Sequence, residues 1–126
     1  MNVLVVDDER DVELLFRQRF RREIREGKIQ LLFAFSGEEA LSILESSESE
    51  TVLVLSDINM PGMSGLDLLT RIKQINASLP VFMVTAYAND FQARAVELGA
   101  DDFLTKPVDF EVLKKRILTD GDGASS

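Results

Sequence analysis

The segment Val52-Leu53-Val54-Leu55-Ser56-Asp57 decides the fold, because a short apolar run leads straight into a carboxylate. The same pattern occurs where Val3-Leu4-Val5-Val6 precedes Asp7-Asp8-Glu9, and where Asp102-Phe103-Leu104-Thr105 precedes Lys106-Pro107. Short apolar runs of this kind are typical of strands in a parallel sheet that helices cover on both faces. Because the functional crevice of such a sheet lies outside the carboxyl ends of its strands, we expect three carboxylates and one ammonium group to meet there.

Strand-like segments alternate with helix-like segments along the chain. Strands are predicted at 3–6, 29–35, 51–56, 81–85 and 102–105. Five helices are predicted, at about 10–26, from Ser36, from Ser64, around Phe91 to Leu98, and from Asp109. This alternation predicts a doubly wound α/β fold with a five-stranded parallel sheet and right-handed crossovers. We expect one domain at residues 1–119, a polar connection at 46–50, and a flexible tail at 120–126.

Apolar side chains at helical spacing give each predicted helix an inner face. In chain order these side chains are Val12, Leu15, Phe16, Phe20 and Ile24; Ala40, Leu41 and Leu44; Leu68, Leu69, Ile72 and Ile75; Phe91, Ala95 and Leu98; and Phe110, Leu113 and Ile117. The segment from Ser36 to Glu39 has the form of a capping box, and Asp109 can cap the fifth helix. Gly99 is predicted to end the fourth helix in a left-handed conformation.

The absence of two residue types excludes several classes of function. Among its 126 residues the chain has no cysteine and no histidine, which excludes disulfides, thiolate zinc sites, thiol nucleophiles and imidazole as a base or metal ligand. The net charge of −8 argues against nucleic acid as a direct partner, because such binding needs a basic surface. No apolar run approaches the roughly 20 residues of a membrane span, and no secretory signal is visible, so we expect a cytoplasmic protein without a membrane partner.

The predicted pocket has the composition of a magnesium site. Carboxylates that converge repel one another, and a hard divalent ion relieves that repulsion. Asp8 and Asp57 are candidate direct ligands, and Asp7 is a candidate ligand through a water molecule. Lys106 offers a positive charge and Thr85 a hydroxyl group to a phosphoryl oxygen. Asp57 is then a candidate nucleophile at phosphorus, and its attack would form an aspartyl phosphate.

Four motifs follow one another in order, each at the end of a predicted strand. They are Val5-Val6-Asp7-Asp8-Glu9, residues 56–65 from Ser56 to Gly65, Val84-Thr85-Ala86, and Phe103-Leu104-Thr105-Lys106-Pro107. In these motifs the chain resembles, essentially end to end, the response-regulator receiver domains of two-component signalling, of the chemotaxis-receiver kind. The resemblance implies the flavodoxin-like strand order 2-1-3-4-5 and a cis peptide bond before Pro107.

The resemblance also implies a phospho-acceptor and a metal site. Asp57 would accept the phosphoryl group. Asp8, Asp57 and the backbone carbonyl of Asn59 would bind Mg²⁺, for which Mn²⁺ is the alternative ion, and Asp7 would support the metal through water. No organic cofactor is implied.

The remaining family positions imply contacts to the phosphoryl group and control of its lifetime. Lys106 would bridge to that group, and Thr85 would bond it once it arrives. Phe103 occupies the family's switch position, and we expect the inward rotamer of its phenyl ring to be well populated already without phosphate. Asn59 and Tyr87 occupy positions that tune hydrolysis of the acyl phosphate, and the bulk of Tyr87 favours a slowly decaying phosphorylated form.

The leading interpretation is a signalling switch that catalyses its own phosphorylation and dephosphorylation, not an enzyme that acts on a separate substrate. It would take a phosphoryl group from a phosphohistidine of a sensor histidine kinase or a histidine phosphotransfer protein. The output would pass to a partner or an output domain through the face of the fourth helix, fifth strand and fifth helix. Homodimerisation through that face is a further option in the family, and the sequence leaves open whether the receiver acts alone or within a longer chain.

Two other classes of function use similar chemistry. A Mg²⁺-dependent phosphotransferase or phosphatase for small molecules would use the same aspartate, but five minimal βα units leave no space for a substrate-specificity cap. A flavin- or nucleotide-binding module would need a cradle of glycines or hydroxyls after the first strand. Residues 7–11 are instead acidic apart from Arg10, and they would repel bare phosphate.

The five arginines between Arg17 and Arg25 allow two interpretations. They could form a basic face on the first helix that docks the phosphodonor, which the family engages near this helix. Alternatively, they belong to an ordinary solvated face, which i,i+4 spacing of opposite charges favours. The pairs with this spacing are Glu13/Arg17, Arg19/Glu23 and Arg22/Glu26.

Overall fold

Five parallel strands form the centre of the computed structural model, which describes residues 1–46 and 50–122. The strands are β1 (Asn2–Val6), β2 (Gln30–Ala34), β3 (Thr51–Asp57), β4 (Val81–Thr85) and β5 (Asp102–Thr105). The helices in this part of the chain are α1 (Asp11–Arg19), α2 (Arg21–Arg25), α3 (Gly37–Glu45), α4 (Gly65–Ile75), α5 (Ala88–Glu97) and α6 (Phe110–Asp122). The strand order is β2-β1-β3-β4-β5 with every pair parallel, which confirms the predicted doubly wound α/β fold and its order 2-1-3-4-5.

Alternate residues of each strand point to opposite faces of the sheet, and helices bury both faces. One core cluster joins the sheet to α3, α4 and α5, and it includes Leu4, Val6, Val54, Ala40, Leu68, Leu69, Ile72 and Ala95. The other cluster joins the sheet to α1 and α6, and it includes Val3, Val5, Leu53, Leu55, Phe16, Leu113 and Ile117. Burial on both sides explains why these strands appear in the sequence as continuous apolar runs.

The prediction of a single helix over residues 10–26 is wrong, because α1 and α2 are separated at Phe20. This residue has φ −101° and ψ 15°, outside helical geometry, and its side chain is fully buried. Its ring centroid lies 5.8 Å from that of Phe16 and 6.1 Å from that of Phe110. The Phe20 N–H still donates to the Phe16 carbonyl at 2.9 Å, and the buried ring packs against the rings of Phe16 in α1 and Phe110 in α6.

The predicted helix ends are confirmed where a side chain or a glycine defines them. The Ser36 hydroxyl accepts a hydrogen bond from the Glu39 N–H at 3.0 Å and caps α3. The Asp109 carboxylate accepts from the Glu111 N–H at 3.0 Å and caps α6. Gly99 has φ +101°, the left-handed conformation that favours glycine after a helix.

Two residues predicted on inner helix faces are instead exposed to solvent. Ile75 is 55% exposed, because it is the last residue of α4 and no further helical turn covers it. Leu15 is 40% exposed, because it lines an open cavity between α1 and α6 that reaches the candidate site. The predicted burial of Ile75 and of Leu15 is therefore wrong.

The charged residues of α1 and α2 pair differently from the i,i+4 prediction. The ion pairs are Glu13–Arg17 at 3.0 Å, Glu23–Lys114 at 3.4 Å and Glu26–Lys28 at 3.3 Å. Only the first of the three predicted pairs forms within the described residues. Arg19 lies over the ring of Phe110 instead, at 5.4 Å from the centroid, because α6 packs beside α1 and supplies nearer partners.

The predicted tail at 120–126 overlaps the end of α6, which runs to Asp122. The rest of that segment, 123–126, lies outside the described residues, as do residues 47–49 of the predicted polar connection. Within the described ranges, no helix has both the length and the apolar character that crossing a bilayer requires.

Candidate functional site

The carboxyl ends of four strands lie at one edge of the sheet and bring distant chain segments together. Asp57 ends β3 and is in register with Val84, and Thr85 ends β4 one residue later. Asp7 follows β1 directly, and Lys106 follows β5 directly. The predicted meeting of these side chains at one edge is therefore confirmed.

Three carboxylates form the centre of this edge. Oxygen atoms of Asp7, Asp8 and Asp57 all lie within 4.8 Å of one another. Asp7 and Asp57 are each 7% exposed, whereas Asp8 is exposed to solvent. Asp7 is held in place by a hydrogen bond of 2.9 Å from the Glu9 N–H to its Oδ1. This set of hard oxygen donors, with one side open to water, fits a divalent cation such as Mg²⁺.

The ammonium group of Lys106 faces the two buried carboxylates. Lys106 Nζ lies 3.4 Å from Asp7 Oδ2 and 3.4 Å from Asp57 Oδ2. The backbone N–H of Lys106 donates to the Thr85 carbonyl at 2.9 Å, which ties its position to the end of β4. The Lys106–Pro107 peptide bond is cis, as predicted. With Asp8 beside them, three negative charges face one positive charge, so the pocket carries an excess of negative charge.

The pKa values of the central pair follow from burial and charge. Burial raises the pKa of Asp57 above its ordinary value, and the nearby charge of Asp7 raises it further, whereas Lys106 opposes the shift. For Lys106, burial alone would lower the pKa, but the charges of Asp57 and Asp7 raise it above its ordinary value. A cation that binds beside these carboxylates would therefore relieve an electrostatic cost of the folded state.

The position of Asp57 depends on a close approach of α4. The Ile58 N–H donates to the Val84 carbonyl at 3.1 Å, and the Gly65 N–H donates to the Ile58 carbonyl at 2.8 Å. A Cβ atom at Gly65 would collide with the Asp57 carbonyl oxygen and would lie 2.7 Å from the Ile58 Cα. Only glycine allows the first turn of α4 to pack this closely against the backbone of Asp57.

Thr85 belongs to a second group beside the carboxylates. Its side chain is fully buried, and its hydroxyl donates a hydrogen bond of 3.0 Å to Asn59 Oδ1. The Tyr87 N–H donates to Thr85 Oγ1 at 3.1 Å, while the Tyr87 side chain is exposed. Asn59 and Tyr87 therefore both contact Thr85 in the structure, a relation that the sequence did not predict.

Phe103 lies on β5, apart from the carboxylate cluster. Its side chain is half-buried and packs against the core cluster that joins the sheet to α3, α4 and α5. Its backbone N–H donates to Asp102 Oδ1 at 2.8 Å, and that oxygen also lies 2.8 Å from Arg116 Nη1. That the inward rotamer of the Phe103 ring is well populated without phosphate stays a prediction.

A cavity of about 790 Å³ extends from the carboxylates between α1 and α6. Its lining combines the polar atoms of Asp57 and Lys106 with apolar side chains of both helices. The apolar part includes Val12, Leu15 and Phe16 of α1 and Phe110 of α6, and it is extended by Val108 from the segment between β5 and α6. Sequence reasoning missed this cavity, although the apolar pair that flanks Asp109 after Pro107 was a signal for it.

The geometry agrees with comparisons to known proteins. The family model described as the response regulator receiver domain matches residues 3–118. The response regulator protein PilR of Pseudomonas aeruginosa is 39% identical over 119 residues, which cover 92% of this chain and 25% of PilR. A receiver-domain structure from Clostridium thermocellum has a TM-score of 0.85 and 27% identity, and the match covers 97% of this chain and 94% of that one.

Another solved structure of a similar protein contains bound Mg²⁺ and BeF. The structure of the response regulator TrrA from Thermotoga maritima, in complex with Mg²⁺ and BeF, has a TM-score of 0.77 and 30% identity. That match covers 94% of this chain and 96% of TrrA. The chain spans only part of the length of the curated relatives that it matches, between 12% and 47% for four of them.

Proposed function

This chain belongs to the response regulator receiver domain family of two-component signal transduction, and on that premise we propose that Asp57 accepts a phosphoryl group from a partner phosphohistidine. One Asp57 carboxylate oxygen attacks phosphorus. The P–O bond forms as the P–N bond breaks, and the electron pair of the broken bond stays on the imidazole nitrogen. The supporting observation is the position of the buried Asp57 carboxylate, 3.4 Å from Lys106 Nζ and within 4.8 Å of Asp7 and Asp8.

The proposal includes a divalent metal site. Asp7, Asp8 and Asp57 supply the oxygen donors, with the backbone carbonyl of Asn59 as a further ligand and Asp7 acting through water. Mg²⁺ is the expected ion and Mn²⁺ the alternative, and the TrrA complex with Mg²⁺ and BeF supports the choice. When bound, such an ion neutralises the charge that carboxylate and phosphoryl oxygens would otherwise bring together.

The other residues position and stabilise the phosphoryl group. Lys106 supplies a fixed positive charge in a half-buried position, where it acts more strongly than in water. Thr85 offers the hydroxyl that bonds a phosphoryl oxygen. As Thr85 moves toward the phosphoryl group, the ring of the switch residue Phe103 turns inward. Asn59 and Tyr87 flank Thr85 and tune how long the acyl phosphate lasts.

The partners follow from the same chemistry. The proposed phosphodonor is a sensor histidine kinase or a histidine phosphotransfer protein, because this chain has no histidine of its own. We place the receiver in the cytoplasm with such a donor, and we assign no catalytic role on a separate substrate. The output face consists of α5, β5 and α6, where Val96 and Val112 are exposed, and it meets a protein partner, an output domain or a second copy.

Intact mass spectrometry with acetyl phosphate and Mg²⁺ tests the proposal. We expect one phosphoryl adduct on the parent protein, and no adduct on Asp57→Asn or after chelation of the metal. Asp90→Asn is the matched control, because Asp90 is an exposed carboxylate on α5 and should leave the adduct unchanged. No adduct on the parent, together with no binding of beryllofluoride, would contradict the proposed function.

A further inference from the structure

The hydroxyl group of Thr85 has one proton, and in this structure that proton is already used. The hydroxyl donates to Asn59 Oδ1 at 3.0 Å. Its oxygen accepts a second hydrogen bond, from the Tyr87 N–H at 3.1 Å. A hydroxyl can accept two hydrogen bonds but donates only one. The bond to Asn59 and a bond from Thr85 to a phosphoryl oxygen therefore exclude one another, whereas the bond from Tyr87 is compatible with both.

The burial of Thr85 and the exposure of Asn59 allow the Thr85 hydroxyl to exchange one acceptor for the other without leaving a group unpaired. Thr85 is fully buried, so its hydroxyl needs a partner at all times, since a buried donor without one is costly. Asn59 is exposed, so water can satisfy its oxygen as soon as the bond to Thr85 breaks. The exchange of Asn59 for a phosphoryl oxygen thus leaves no group unpaired on either side.

We propose that Asn59 is a positioning residue whose side-chain oxygen holds the Thr85 hydroxyl in competition with the phosphoryl group on Asp57. The inference rests on the proposed function and adds to it a device that opposes the phosphorylated arrangement. Because Asn59 follows Asp57 by two residues, the competing acceptor lies in the loop that begins directly after the phospho-acceptor at the end of β3. Phosphorylation must break the Asn59–Thr85 bond before Thr85 can engage the phosphoryl group.

Beryllofluoride binding tests this competition without hydrolysis, so an effect of Asn59 on the attacking water cannot enter the result. We expect Asn59→Ala to bind beryllofluoride at saturating Mg²⁺ about three- to tenfold more tightly than the parent, the range that one hydrogen bond covers. Tyr87 is the only tyrosine and the chain has no tryptophan, so its fluorescence reports binding close to the site. Asn89→Ala, at an exposed asparagine on α5, is the matched control and should bind as the parent does.

A double-mutant cycle separates the hydrogen bond from other effects of the Asn59 side chain. In a Thr85→Ala background no hydroxyl remains to be held, so Asn59→Ala should no longer tighten binding. An equal gain in both backgrounds, or no gain in either, would overturn the proposal.

A measurement without phosphodonor or metal tests the bond even if beryllofluoride fails to bind. The NMR signal of the Thr85 hydroxyl proton should exchange slowly with water in the parent. Asn59→Asp keeps an acceptor oxygen in the same place and should also show slow exchange, whereas Asn59→Ala should show fast exchange. Slow exchange in Asn59→Ala would overturn the proposal, while a parent that binds no beryllofluoride would contradict the proposed function instead.

Discussion

Two clusters of lysine and carboxylate lie at opposite edges of the same sheet, and they differ in how fully their charges are satisfied. At the amino-terminal edge, Lys73 Nζ lies 2.8 Å from Asp101 Oδ2 and 2.8 Å from the Leu79 carbonyl oxygen. The same Asp101 oxygen accepts a hydrogen bond of 2.8 Å from the Val81 N–H. One positive and one negative charge meet there at short distances, and the pair ties α4 to the starts of β4 and β5.

At the carboxyl-terminal edge, Lys106 is shared between Asp7 and Asp57 at 3.4 Å from each. Asp8 adds a third carboxylate, and burial raises the pKa of Asp57. Negative charges outnumber positive charges in this cluster, and its nitrogen–oxygen distances of 3.4 Å are longer than the 2.8 Å between Lys73 and Asp101. An ion pair with every partner in place stabilises the fold, whereas the unsatisfied charges at the carboxyl-terminal edge make that cluster a candidate ligand site.

The largest expected effect comes from removing the cation of the incomplete cluster. We expect Lys106→Met to slow adduct formation with acetyl phosphate by about 100-fold or more, since a fixed group that stabilises developing charge has this weight. The rate is measured by intact mass against time at saturating Mg²⁺. Lys115→Met, at an exposed lysine of α6, is the control and should keep the parent rate. A Lys106→Met rate equal to that of the parent would remove the distinction between the two clusters.

The next effect concerns the complete cluster and is one of stability. Lys73→Met leaves Asp101 without its ion pair, and we expect the free energy of unfolding to fall by about 2 kcal/mol. The loss should be smaller than for a deeply buried pair, because the Asp101 side chain is 40% exposed. Urea denaturation measures the loss, and adduct formation by the folded fraction should stay at the parent rate. If the adduct rate of Lys73→Met fell as far as that of Lys106→Met, the assignment of separate roles would be wrong.

The smallest expected effect is a gain in the free energy of unfolding, from a substitution at Asp57. Because the pKa of Asp57 is raised in the folded state, the folded protein binds this proton more readily than the unfolded chain. Stability from this group is present below the unfolded value of 3.8 and is lost as pH rises through the folded pKa. Asp57→Asn stays neutral, so in the presence of a chelator it should be more stable than the parent at pH 7, by about 1 kcal/mol.

That gain should shrink toward zero as pH falls below 3.8, where the parent carboxyl is protonated in both states. Denaturation at a series of pH values measures it, with Asp90→Asn as the control. A gain that does not depend on pH would show that the amide acts through packing and not through charge.

Much of the fold follows from the sequence, because its strands are buried on both faces. The predicted ranges of β4 and β5 agree with the structure, and β3 extends one residue further, to Asp57. The break at Phe20 was not predictable from helical spacing, because it arises where the ring packs against Phe110 of α6. Packing between elements that are distant in sequence overrides the local pattern there.

The candidate site divides in the same way. Asp7, Asp57 and Lys106 were predictable, because each stands at the end of an apolar run and parallel strands end at one edge. The close packing of Gly65 against the Asp57 backbone and the hydrogen bond between Asn59 and Thr85 were not predictable. Each depends on how closely a loop or helix approaches a neighbouring strand. Residue type and spacing in the sequence do not specify how close two elements come in the folded protein.

The central claim is that Asp57 is the phospho-acceptor, and the most direct test is to locate the phosphorylated residue in the chain. Borohydride reduces an aspartyl phosphate to homoserine, and peptide mass spectrometry then locates the changed residue. After treatment with acetyl phosphate and Mg²⁺, we predict homoserine at position 57 and unchanged aspartate at Asp7 and Asp8. Homoserine at Asp7 or Asp8, with Asp57 unchanged, would contradict the account of this strand edge as a site built around Asp57.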